Sequence, residues 1–306
     1  MFIEKYKKIY VIIFIIFFVI SLLLTYQIIS NNTFRNKKGI RICSWNVEWF
    51  GLPNYKGVFN NTNLGLYDKI VQHLYSIKYY IDIIKPDIIC LQEVASVETA
   101  NILHEYLIDY DMYSDTTIIT HDKQYNLYLV RRSIPVTFFK VLDDKHKIIR
   151  LIFKYNSEEI SLYNVHLRSD YSGDNSNKRT QQTKMLYEYI KSVNDNNVII
   201  TGDTNASSGS KELNILENNF INLIFSRKCN INIIDKYSLW YDKNNNDIIT
   251  SDEIFLVDYF FTSQNIYKIV DQMYIYHILY QKIFSEMFKI NSNKISDHYP
   301  IILDLM

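Results

Sequence analysis

Six short polar fragments interrupt apolar runs along this chain, and their side chains are of the kinds that handle metal ions and phosphate. They are Ser44-Trp45-Asn46-Val47-Glu48, Leu91-Gln92-Glu93, Tyr163-Asn164-Val165-His166-Leu167, Thr201-Gly202-Asp203-Thr204-Asn205, Val257-Asp258-Tyr259 and Ser296-Asp297-His298-Tyr299-Pro300. Carboxylate and amide oxygens suit a hard divalent cation such as magnesium. A phosphodiester gathers negative charge on its oxygens in the transition state, so a cation and hydrogen-bond donors must converge there. A histidine backed by a carboxylate keeps one tautomer and can carry positive charge. Each fragment alone has a bland reading: a lone Asn or Asp is usually a turn or cap residue, and a lone His a satisfied structural one. The recurrence points to one site. Four of the fragments close strand-like runs, the fifth lies in a late strand and the sixth opens the last.

Stepping outward from these fragments, residues 40–47 and 87–94 read as strands. Between them residues 68–84 read as a helix, with Ile70, Val71, Leu74, Ile77, Ile81 and Ile84 at helical spacing and Pro86 ending it. Strand, helix, strand in this order predicts a right-handed crossover between parallel neighbours. A short helix is predicted over 99–110, and strands over 126–131, 134–142, 148–154 and 159–167. A further helix is predicted over 178–193, then strands over 198–202, 256–262 and 299–305. The aromatic stretch 273–288 reads as helix core in preference to a substrate rim. The whole predicts an α/β sandwich of two sheets covered by helices. No tandem repeat or internal boundary divides residues 41–306.

The order WNVE, LQE, NVHL, GDTN, VDY and SDHYP resembles the DNase I-like endonuclease/exonuclease/phosphatase superfamily, from about Arg41 to Met306. The resemblance implies a four-layered α/β sandwich. It also implies hydrolysis of phosphate esters with a divalent metal, Mg2+ or alternatively Mn2+. Carried over by motif, Asn46 and Glu93 would sit at the metal with Asp297 close to it. His166 and His298 would flank the scissile phosphate. Asp203 and Asn205 would hold the attacking water and a phosphate oxygen, and Asp258 would buttress His298. The chain departs from the family at one point. The type member supports the first His with a carboxylate, whereas the nearest candidates here are Gln124 and Asp122. Gln124 could orient His166 but could not stabilise an imidazolium as a carboxylate would. Arg168, followed by Arg179 and Gln182, is a candidate contact to substrate phosphate, with a surface salt bridge the equal alternative.

Substrate choice in this fold lives in loops around the site, and no loop here is decisive. Nucleic acid is the first expectation and a phospholipid head group, of the sphingomyelin or phosphoinositide kind, the second. The alternative from another class is a catalytically inactive binding domain. The filling of every central position argues against it. No protein partner is implied.

Asp242 to Glu253 has the spacing of a calcium loop. Asp242, Asn244 and Asn246 stand at positions 1, 3 and 5, Ile249 at 8 and Glu253 at 12, but Asp247 occupies position 6, where Gly is expected. An Asn-rich hairpin loop is the competing reading. The three cysteines, Cys43, Cys90 and Cys229, have no zinc-type spacing and read as buried thiols in strands. A Cys43–Cys90 disulfide is the lesser alternative.

Ile9 to Ile29 is a run of 21 residues without a charge. A helix of about 20 apolar residues spans a bilayer core. Lys5, Lys7 and Lys8 precede it, which predicts a cytoplasmic N-terminus. Residues 1–30 therefore read as a single-pass membrane anchor, with a cleaved signal segment as the alternative, and 31–40 as a linker. Both readings put residues 41–306 on the non-cytoplasmic side or in the exterior. Six basic residues and one acid lie in the first forty positions, which leaves 27 basic against 32 acidic residues beyond, a net charge of about −5. Such a domain gains little from counterion release, so indiscriminate nucleic-acid binding is disfavoured.

Overall fold

Two mixed sheets lie face to face in the computed structural model, which describes residues 39–51, 66–114, 124–143, 147–170, 173–231, 236–241, 243, 250–277 and 296–306. The elements run in chain order β1 (Ile40–Phe50), α1 (Leu66–Ile84), β2 (Ile88–Val94), α2 (Val97–Tyr106), β3 (Tyr110–Tyr113), β4 (Tyr125–Arg131) and β5 (Val136–Val141). There follow β6 (Ile148–Tyr155), β7 (Glu158–His166), α3 (Ser176–Ser192), β8 (Val198–Asp203), α4 (Asn214–Asn219) and β9 (Ile221–Asn222). The last are β10 (Leu239–Trp240), β11 (Ile254–Phe255), β12 (Asp258–Thr262), α5 (Gln264–Ile269), β13 (Val270–Ile275) and β14 (Ile301–Leu305). One sheet has the order β13-β14-β1-β2-β4-β3 and the other β5-β6-β7-β8-β12-β9, while β10 and β11 form a separate two-stranded hairpin.

Alternation along β1 and β2 builds the layers. Successive side chains of a strand point to opposite faces. Ile42, Ile88 and Cys90 face the second sheet and pack with Ile149, Leu162 and Ile199. Cys43, Trp45, Ile89 and Leu91 face outward and are covered by Leu74, Ile77 and Ile81 of α1 and Leu103 of α2. Both faces are buried, which is why these strands read as unbroken apolar runs. On the far side of the second sheet, Leu186 and Ile190 of α3 join the same core. The expected crossover is present: β1 and β2 are parallel, with Ser44 opposite Cys90. A second parallel pair, β7 and β8, occupies the middle of the other sheet.

A buried ion pair closes the first sheet. Arg41 donates through Nε to Asp304 Oδ1 at 2.7 Å, through Nη2 to Oδ2 at 2.9 Å, and through Nη1 to the Ile84 carbonyl at 2.9 Å. It thus ties β1 to β14 and to the end of α1. Removing one partner of a buried pair strands the other charge, at a cost of about 3–5 kcal/mol. Asp304→Ala is expected to lose about 3 kcal/mol of unfolding free energy, read by chemical denaturation.

Three expectations need correction. Residues 273–275 are not helical; they lie in β13, where Met273 and Ile275 pair with Leu303 and Ile301 of β14. The rest of the 273–288 stretch, beyond His277, lies outside the described residues. The helix expected over 99–110 ends at Tyr106, and Tyr110–Tyr113 pairs with β4 as a short edge strand instead. Cys43 and Cys90 are buried free thiols in neighbouring strands, as expected, and their side chains belong to opposite faces, which leaves no disulfide between them. Cys229, the third correction, is only half-buried and lies outside the named strands.

Residues 1–38, including Ile9 to Ile29, lie outside the described residues. Among the described residues no helix is long and apolar enough to cross a membrane. Asp242, Asn244 and Asn246 of the calcium-type loop also lie outside them. Glu253 is buried, with Oε1 accepting from Lys243 N at 3.0 Å and Oε2 from Thr250 Oγ1 at 2.9 Å.

Candidate active site

Parallel pairing sends the C-terminal ends of β1, β2, β7 and β8 to one edge of the sandwich, where the polar fragments gather. Two irregularities then turn side chains inward. The β1–β2 register shifts between Asn46 and Phe50, and the β2–β4 register between Leu91 and Val94. Glu48, Trp49 and Glu93 adopt left-handed backbone there, with φ of 44°, 51° and 62°. Such conformations cost about 1–2 kcal/mol per residue and re-aim the side chain, as bulges beside functional sites do. Local bonds hold them. Glu48 N donates to Asn46 Oδ1 at 3.0 Å, and Trp49 N to Glu93 Oε2 at 3.2 Å.

Asp203 is the hub. In the second sheet it stands between two register partners, His166 on β7 and Asp258 on β12. Its Oδ2 accepts from Asn46 Nδ2 at 3.0 Å and from Asn205 Nδ2 at 3.1 Å, while Oδ1 accepts from Asn205 N at 2.8 Å. Asn205 sits at φ 48°, a conformation Asn tolerates well. Both histidines aim Nε2 at this carboxylate: His166 Nε2 is 3.7 Å and His298 Nε2 3.8 Å from Asp203 Oδ2. His298 Nδ1 donates to Asp258 Oδ2 at 2.8 Å. Glu93 Oε1 accepts from Asn46 Nδ2 at 3.1 Å and lies 3.5 Å from His166 Nε2. Asp297 completes the ring, with its N–H on Glu48 Oε2 at 3.1 Å and its Oδ1 3.8 Å from His298 Nε2.

The eight residues singled out for metal and catalysis thus share one pocket. Arg168 stands at its edge, close enough for its charge to act on His166. Its N–H is held by Gln182 Oε1 at 3.0 Å and its carbonyl by Arg179 Nη1 at 2.9 Å. Asn46 meets the carboxylates as a donor, because its oxygen is taken by Glu48 N. Two further residues escaped the sequence reading. Glu48 was visible in the first fragment, two residues from Asn46, but only the bulge aims it at Asp297. Lys147 carried no motif signal. It fills the place where a carboxylate was sought behind His166: its Nζ donates to Gln124 Oε1 at 2.6 Å and lies 3.3 Å from His166 Nδ1. Asp122, the other candidate, lies outside the described residues.

Charge is crowded here. Burial raises the Glu48 carboxyl well above its ordinary range, and Asp297 and Glu93 push it further. Burial and then Asp297 raise Glu93. Asp203 is pushed up to about 7, chiefly by burial, with the His298 charge opposing and Asp258 adding. The histidines diverge. Burial opposes charge on His298, but Asp258, Asp297 and Asp203 together outweigh it and hold its pKa well above normal. Burial, Lys147, His298 and Arg168 all drive His166 well below normal.

The sequence profile described as the Endonuclease/Exonuclease/phosphatase family matches residues 43–298. The chain belongs to that family. Its members are generally metal-dependent phosphodiester or phosphoester hydrolases. No match is found among curated proteins. Solved structures share the fold at low identity. Zebrafish (D. rerio) TDP2, in a complex with a single-strand DNA product, is 17% identical, with TM-score 0.62 over 88% of this chain and 100% of that one. An endonuclease/exonuclease/phosphatase from Bacteroides vulgatus is 15% identical, with TM-score 0.65 over 88% and 99%. Truncated TDP2 from Caenorhabditis elegans is 16% identical, with TM-score 0.62 over 88% and 98%.

The residues present fit the divalent cation that the family uses. Glu48, Glu93 and Asp297 are oxygen donors, and the charges of His298 and Lys147 do not bring Glu48 and Glu93 back to the ordinary carboxylate range, so a hard cation has repulsion left to neutralise. A proton competes for the Glu48 and Glu93 oxygens, and for those of Asp203, which Asn46 links to Glu93. With a folded pKa near 7 against an ordinary value of about 4, Asp203 favours folding at acid pH and loses that contribution as pH rises through about 7. The metal-free protein is therefore expected to lose stability between about pH 4 and pH 7, and Mg2+ to restore more of it at pH 8 than at pH 5. Thermal midpoints with Mg2+ and with EDTA at the two pH values check this.

Proposed function

We propose that residues 41–306 hydrolyse phosphate diesters with Mg2+ or Mn2+ held by Glu48, Glu93 and Asp297 beside Asn46. The observation that carries this is the convergence of two histidine Nε2 atoms on Asp203, at 3.7 and 3.8 Å, beside a half-buried carboxylate cluster. When bound, the cation supplies charge neutralisation on a phosphate oxygen. Asp203 orients a water and takes its proton as the new P–O bond forms. A base works best with a pKa near the working pH, and Asp203 stands at about 7. Asn205 and Asn46 fix the Asp203 carboxylate. His298, kept charged by Asp258, donates a hydrogen bond to the phosphate; the ester P–O bond breaks with its electron pair going to the leaving oxygen, which takes a proton from solvent, and Asp203 returns its own proton to solvent.

Nucleic acid is the first substrate class; the single-strand DNA product in the TDP2 structure supports it as an analogy of fold. The second class is a phospholipid head group, favoured by the uncharged run Ile9 to Ile29, which would tether the hydrolase by residues 1–30 through the 31–40 linker. In that arrangement the catalytic unit lies on the non-cytoplasmic side. The deciding assay gives the full chain in detergent single-stranded and plasmid DNA, RNA, sphingomyelin and phosphoinositides with Mg2+. Turnover of DNA or RNA supports the first class, and turnover of lipid alone replaces it with the second.

A further inference from the structure

We infer that Lys147 is a positioning residue that fixes His166 as the Nε2–H tautomer, so that His166 serves as a hydrogen-bond donor to a phosphate oxygen. This rests on the phosphodiesterase reading for the donor role but not for the tautomer. The lysine is itself tightly placed, one residue before β6. Its carbonyl accepts from His166 N at 2.7 Å and from Asn126 Nδ2 at 3.0 Å, and its N–H donates to Asp143 Oδ1 at 2.9 Å. Its side chain is buried, and Nζ reaches Gln124 Oε1 at 2.6 Å and His166 Nδ1 at 3.3 Å.

An ammonium has three hydrogens to donate and no lone pair to offer. Nδ1 of His166 must therefore accept, and the ring hydrogen falls on Nε2. That atom faces the pocket, 3.5 Å from Glu93 Oε1 and 3.7 Å from Asp203 Oδ2. A carboxylate behind the ring would do the reverse and draw the hydrogen to Nδ1. This is what Asp258 does for His298 at 2.8 Å. The two histidines of one pocket are thus backed by groups of opposite charge. His298, backed by Asp258, carries a positive charge beside Asp203, and the ring backed by Lys147 presents a fixed hydrogen. Gln124 offers the lysine an oxygen and so anchors Nζ beside Nδ1.

The test is nitrogen NMR of the full chain labelled at histidine, with the His166 signals assigned by their loss in His166→Gln. The inference expects Nδ1 of His166 in the non-protonated range and Nε2 in the N–H range. Lys147→Met should mix or invert that pattern, and Lys147→Arg should keep it. On a generic diester, Lys147→Met should lower kcat by about 10- to 100-fold with KM little changed, and Lys147→Arg should recover most of the loss. A protonated Nδ1 in the wild-type chain would overturn the inference, as would a Lys147→Met chain with unaltered tautomer and kcat. The wild-type spectrum decides the tautomer even where Lys147→Met does not fold. Absence of any hydrolysis by the wild-type chain, with the Nε2–H pattern intact, would overturn the phosphodiesterase reading and support the tautomer alone.

Discussion

Asp203→Asn is expected to lower kcat on a phosphate diester by about 10³-fold. The carboxylate accepts three hydrogen bonds from Asn46 and Asn205, and the Nε2 atoms of both histidines lie 3.7 and 3.8 Å from it. An amide in its place has no proton affinity to activate water. Its NH2 would also face the NH2 groups of Asn46 and Asn205. Against that, the substitution relieves the burial that pushes Asp203 up to about 7. The two structural effects oppose each other, so the thermal midpoint should move little while turnover collapses. Steady-state kinetics beside calorimetry reads both. A variant that keeps kcat within about tenfold of wild type would remove Asp203 from the base role.

Gly202→Ala should do the opposite and destroy folding before catalysis. Gly202 pairs with Val165 across the parallel β7–β8 contact at φ +131°, a backbone conformation side chains rarely adopt. A Cβ there would stand 2.0 Å from the Val165 carbonyl oxygen. No rotamer relieves a clash with backbone, so the two central strands of the second sheet must part. A loss of about 4 kcal/mol or more is expected, which for a domain of this size lowers the thermal midpoint by about 10 °C. Failure to accumulate soluble protein would agree with this; a wild-type midpoint would contradict it. The consequence reaches the site, because the same two strands end in His166 and Asp203.

Much of this was legible in the sequence because burial on both faces writes a strand as an apolar run. Residues 40–47 and 87–94 therefore declared themselves, and so did the helix between them. The six polar fragments stood out against those runs, and their order matched a known family. What was not legible depends on geometry that strand patterns do not encode. Glu48 and Glu93 reach the pocket only because register shifts re-aim them. Lys147 looks like an ordinary surface lysine before a strand, and only the β6–β7 pairing brings it beside His166. The donor orientation of Asn46 follows from the Glu48 N–H, which no spacing rule reports. Residues 273–275 read as helix because apolar and aromatic residues are dense there, yet an open edge of β14 captured them. Propensity yields to such tertiary pairing.

The central claim is that the buried carboxylates and the two histidines act around one divalent cation. Hydrolysis of bis(p-nitrophenyl) phosphate by the full chain tests it most directly, run with Mg2+, after EDTA, and after Mg2+ is returned, with His298→Ala alongside. The account predicts activity that vanishes in EDTA, returns with Mg2+ and is lost in His298→Ala. Activity indifferent to EDTA or to the loss of His298 would contradict it, and an inert wild-type chain fully loaded with Mg2+ would leave a binding domain in its place.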